Sequence, residues 1–215
     1  MELLLRSDPE TSITDAVVIC ALENGEPCPS LVQALWQRNP SLVVTPLMMK
    51  AAKSIVELEF LLQRLGPARG RLQDVAKFVS KNDENYGVDS ASRGELLACL
   101  IRHDSEIKLT ALMVERILPI WNLELLDEFL THEPALPVTK KLFLNIFESS
   151  FRDNELSEFA GILHRHGKRL IFTQEIRDAI DKRHQGEANM ERKESFYRLC
   201  AREMKWWRKL RPKKW

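Results

Sequence analysis

The chain reads as an all-α protein: an α-solenoid-like array of about six helix-turn-helix units, each of roughly 30 residues, closed by a basic C-terminal capping helix. Three observations predict this. Strong helix formers (Leu, Glu, Lys, Arg and Ala) dominate, while eight glycines and two tyrosines are too few for a many-turned sandwich or barrel. A hydrophobic residue followed by Thr recurs ahead of a helical apolar pattern. The spacing between those threonines is close to one repeat or a multiple of it.

The starts are Ile13-Thr14, Val44-Thr45, Leu109-Thr110, Val138-Thr139 and Phe172-Thr173. In most copies the apolar residues stand 3, 4, 7 and 8 positions after Thr, the stripe of a core-facing helix. Val17, Val18, Ala21 and Leu22 form the first such set, Met48, Met49 and Ala52 the second, and Met113, Val114, Ile117 and Leu118 the fourth. Leu142, Phe143, Ile146 and Phe147 follow Thr139, and Ile176, Ala179 and Ile180 follow Thr173. An N-cap threonine accepts a bond from an otherwise orphaned first-turn amide, which explains its place at each start. Pro46 is pre-shaped for the first helical position, and Asp15 puts negative charge at the positive end of the helix dipole.

Thr14 and Thr45 are 31 residues apart, Thr110 and Thr139 are 29, and Thr139 and Thr173 are 34. The 65 residues from Thr45 to Thr110 hold two units. The third start therefore falls near Arg71, ahead of Val75, Phe78 and Val79, in a copy without the Thr. Each first helix precedes a second apolar stretch: Leu31, Leu35 and Trp36; Leu58, Leu61, Leu62 and Leu65; Leu96, Leu97, Leu100 and Ile101; Leu125, Leu126, Phe129 and Leu130; then Phe159, Ile162 and Leu163. Breaks at Asn39-Pro40, Gly66-Pro67, Pro134 and Gly167 separate the pairs. A helical bundle whose Thr caps recur by chance is the competing architecture. Five starts with matching offsets favour the repeat.

These units resemble the short helical repeats of filamentous-fungal proteins, found near ankyrin arrays or downstream of NLR-like nucleotide-binding modules. Val44-Thr45-Pro46 through Ala51-Ala52, followed by residues 57–65, is the copy that carries the likeness best. The ankyrin signature itself is absent, because Thr45-Pro46-Leu47 continues to Met48 rather than His. The resemblance spans residues 11–185 and implies a recognition scaffold without chemistry. No site residue transfers from it.

Residues 186–215 form the second region, a basic, Trp-rich capping helix and tail. Residues 191–215 hold ten Lys or Arg against three Glu, a net of +7; the rest holds 22 against 28 Asp or Glu, a net of −6. Phe196, Leu199, Cys200, Trp207 and Leu210 share one helical stripe, opposite Arg198, Arg202, Lys205, Arg208 and Lys209, and Pro212 ends it. That stripe suits the cap of a solenoid. The same segment also suits a protein partner, a nucleic acid, or a membrane surface. The candidate partner-binding residues are Lys205, Trp206, Trp207, Arg208, Lys209, Arg211, Lys213, Lys214 and Trp215: cations to neutralise phosphate, indoles to stack or anchor.

Chemistry is harder to find. No phosphate-binding glycine loop, GxSxG elbow or HExxH stands in the sequence, and no cofactor or metal is expected. His103, His132, His164 and His166 fall near the ends of second helices, where a cation complements the dipole. Carboxylate pairs such as Glu57-Glu59, Asp127-Glu128 and Glu155-Glu158 read as solvated faces. Cys20 and Cys200 stand at apolar helix positions, as small hydrophobes, and no CxxC pairing occurs. Residues 80–94 read as a polar connector interrupting the third unit. The first ten residues lack an extended hydrophobic region, arguing against a secretory signal, and no apolar run reaches the ~18 residues of a membrane span. The expected role is a non-enzymatic, cytoplasmic or nuclear scaffold for a protein partner, with nucleic-acid association through the tail as the alternative.

Overall fold

A computed structural model describes residues 12–23, 29–65, 72–81, 88–118, 122–142 and 153–168, together with Asp178 and Arg198. Every regular element among them is a helix, so the all-α expectation holds for the described residues. The chain divides into two compact bodies, residues 1–109 and 110–215.

The first body contains α1 (Asp15–Glu23), α2 (Pro29–Arg38), α3 (Pro46–Ala51), α4 (Ile55–Leu65), α5 (Leu72–Val79) and α6 (Ser90–His103). They pair as hairpins, α1 with α2, α3 with α4 and α5 with α6. Hairpins also stack like on like. First helices pack in the row α1, α3, α5, and second helices in the row α2, α4, α6. The buried residues explain the two rows. Ala21, Ala51, Ala52 and Ala76 let the short first helices approach closely, around Val18, Met48 and Val75. The second row is bulkier, with Leu35, Leu58, Leu61, Leu97 and Leu100 all excluded from water.

An aromatic contact marks each row. Trp36 on α2 meets Phe60 on α4 edge-to-face, with centroids 5.7 Å apart at 77°. Lys50 on α3 lies 5.6 Å from the ring of Phe78 on α5. That cation covers a ring which sequence offsets place in the core but which is only half-buried; Ala76 takes the buried position instead.

The threonine starts have a common geometry. Thr45 (φ −109°, ψ 156°) and Thr110 (φ −112°, ψ 154°) adopt nearly the same extended backbone. Their hydroxyls accept the amides of Met48 and Met113, each at 3.3 Å. Thr139 accepts that of Leu142 at 3.1 Å. Thr14 immediately precedes α1, and its carbonyl accepts from Val17 and Val18. Thr173 lies outside the described residues. Replacing Thr45 or Thr110 by Ala is expected to cost about 1 kcal/mol each, read as a lowered urea midpoint at constant slope.

A second recurrent turn precedes the threonines. Asn39, Asp104 and Glu133 each donate an amide to the carbonyl four residues back, on Leu35, Leu100 and Phe129. Each then accepts, through its own carbonyl, the amide three residues on: Leu42, Ile107 and Leu136. Thr45, Thr110 and Thr139 follow at the same distance, six residues after the turn opens. Turn, threonine and helix thus form one backbone module, present three times among the described residues.

Two local expectations are corrected. The connector read at residues 80–94 ends at Asp89, because α6 begins at Ser90 and includes Gly94. Asp89 is the N-cap: Oδ1 accepts the Ser92 amide at 2.9 Å, and that bond holds its carboxyl below the usual carboxylate range. Across this connector, buried Arg93 donates to the carbonyl of Lys81 at 2.6 Å, satisfying a peptide group just beyond α5. Cys20, expected at an apolar position, is exposed, whereas Cys99 on α6 is buried; Cys28 and Cys200 lie outside the described residues.

The second body contains α7 (Ala111–Ile117), α8 (Leu123–His132) and α9 (Asp153–Arg165), with a further helical turn beginning at Lys140. Met113, Val114, Ile117 and Leu118 are all buried, as are Leu125, Leu126, Phe129 and Leu130. Helix α8 packs against α9 through a core that includes Phe159, Ile162 and Leu163.

Candidate functional site

The residues selected from sequence, Lys205, Trp206, Trp207, Arg208, Lys209, Arg211, Lys213, Lys214 and Trp215, lie outside the described residues. Among the described residues, the groups open to recognition or chemistry are polar clusters and exposed apolar side chains.

Polar ties connect groups 24 to 35 residues apart in sequence within each body. In the first, Asn39 Nδ2 donates to the Ile13 carbonyl at 2.9 Å, and Lys53 Nζ donates to the Glu23 carbonyl. Gln73 holds both backbone groups of one residue, accepting the Lys108 amide at 2.7 Å and donating to the Lys108 carbonyl at 3.2 Å. In the second, the Thr139 hydroxyl donates to Glu115, and Lys168 Nζ donates to the Pro134 carbonyl.

A charged cluster joins α8 to the end of α9. Asp127 Oδ2 accepts Arg165 Nη2 at 2.9 Å, while Oδ1 accepts His166 Nε2–H at 2.7 Å. An ionised carboxylate only accepts, so Nε2 must carry the proton in this pair. His166 is positioned by the close of α9: its amide donates to Ile162 O, and Gly167 turns the chain at φ 62°. The amide of Lys168 returns to Leu163 O at 2.8 Å, completing a C-terminal cap that calls for glycine. The bond from His166, followed by Arg165, holds the Asp127 carboxyl below its usual value of 3.8. Both carboxylate oxygens are committed to fastening two helices.

That depression fixes the sign of a pH effect. The ionised form is favoured by folding, so its contribution is full above the unfolded carboxylate value and is lost as pH falls through the lower folded one. The Asp127 and Arg165 side chains are 37% and 58% exposed, so the Arg165 pair contributes at most about 1 kcal/mol. The stability gap between the wild type and Asp127→Asn is expected to narrow as pH falls from about 6 toward 3, measured by urea unfolding. A gap independent of pH would show that the carboxylate charge plays no part.

The carboxylates read as solvated faces separate on inspection. Glu57 is 2% exposed, while neighbouring Glu59 is exposed. Glu57 Oε2 accepts the amides of Lys53 and Ser54 at 3.1 and 3.2 Å, and Ser54 Oγ accepts the Glu57 amide at 3.3 Å. This reciprocal capping box starts α4. The Ser-x-x-Glu spacing of Ser54 and Glu57 is the sequence signal for this box.

His103 and His132 close α6 and α8, and His164 lies in the last turn of α9, as their positions in sequence suggest. No group of three or more His, Cys, Asp or Glu among the described residues is arranged to hold a metal. No described helix is long and apolar enough to cross a membrane.

The large hydrophobic side chains exposed among the described residues are Val43, Leu47, Val56 and Leu112. Leu47 and Leu112 each stand two residues after a capping threonine and are 62% and 50% exposed; Ala16 and Lys141 stand at that offset from Thr14 and Thr139. Searches against protein-family models, curated proteins and solved structures find no match to the chain.

Proposed function

We propose that the chain is a non-enzymatic helical-repeat scaffold that binds a protein partner, with about six hairpins in a solenoid over residues 11–185 and residues 186–215 as its cap. The observation that carries this reading is the repeated module of turn, capping threonine and short first helix, together with first-on-first and second-on-second stacking in the first body. Each body carries an exposed apolar side chain two residues after a capping threonine, Leu47 in the first and Leu112 in the second. Exposed apolar side chains suit the centre of a protein interface better than contact with phosphate. The reading places the protein in the cytoplasm or nucleus and assigns it no cofactor.

Nucleic-acid association through Lys205, Trp206, Trp207, Arg208, Lys209, Arg211, Lys213, Lys214 and Trp215 is the second reading, favoured by the +7 net charge of residues 191–215. One affinity-capture comparison separates the two. The scaffold reading expects a specific protein recovered after nuclease treatment, retained when residues 204–215 are deleted, and lost in the double variant Leu47→Glu, Leu112→Glu with unchanged circular dichroism. Recovery abolished by nuclease, or by the tail deletion with a steep salt dependence, would overturn it in favour of nucleic acid.

A further inference from the structure

We draw no further inference here: the strongest candidate, the exposed apolar positions Leu47 and Leu112 that follow the capping threonines on the first helices, belongs to the surface already described, and nothing in the structure shows what covers it.

Discussion

Leu61→Ala is expected to destabilise the first body by about 2–5 kcal/mol. Leu61 has no exposed surface and sits on α4, the middle helix of the second-helix row. Helix α4 packs on α2, α3 and α6, so a cavity there has neighbours on several sides and little room to collapse. The control is Leu47→Ala in the neighbouring α3. That side chain is 62% exposed, and its loss is expected to change stability by no more than about 0.5 kcal/mol. Urea unfolding of both variants reads the contrast. Equal losses at the two leucines would show that the second-helix row is not the tightly packed layer described above.

Glu57→Ala is expected to cost about 1–3 kcal/mol, because it strips the acceptor from the amides of Lys53 and Ser54 at the entry to α4. Glu57→Gln retains an amide oxygen in the same place and should restore part of that loss. Glu59→Ala, on the exposed side of the same turn, should leave the unfolding midpoint nearly unchanged. A Glu57→Ala effect no larger than that of Glu59→Ala would mean that the buried carboxylate does not govern the start of the helix.

Much of the helical framework was legible because its signals are carried by side-chain type. A threonine that caps leaves a Thr in the sequence, and Thr45, Thr110 and Thr139 each make the bond their position predicts. The second-helix leucines were legible for the same reason: Leu96, Leu97, Leu100 and Ile101 repeat with helical spacing, and all are buried. The turn ahead of each threonine was not. The bonds common to all three run through the backbone amide and carbonyl of Asn39, Asp104 and Glu133, so no single residue type marks the turn, although the side chains of Asn39 and Asp104 also accept the amides of Ser41 and Glu106. Apolar periodicity also failed where polar chemistry starts a helix. Ser90 to Gly94 looks like loop composition, yet Asp89 caps it into α6. Cys20 was misplaced because α1 is apolar nearly all round, leaving the pattern without a clear inner face. The candidate tail residues rest on composition alone: charge and indole content name a class of partner, and no spacing within them selects one.

The backbone turns opened by Asn39, Asp104 and Glu133 bear on how such a chain can change length. Cutting and rejoining the polypeptide between any two of these junctions brings together ends of matching conformation, since each enters from the same bond and leaves toward the same threonine. Gain or loss of a whole segment between junctions preserves local geometry at the splice. A deletion of one or two residues inside a helix has no such refuge, because each lost residue rotates the later side chains on that helix by about 100°.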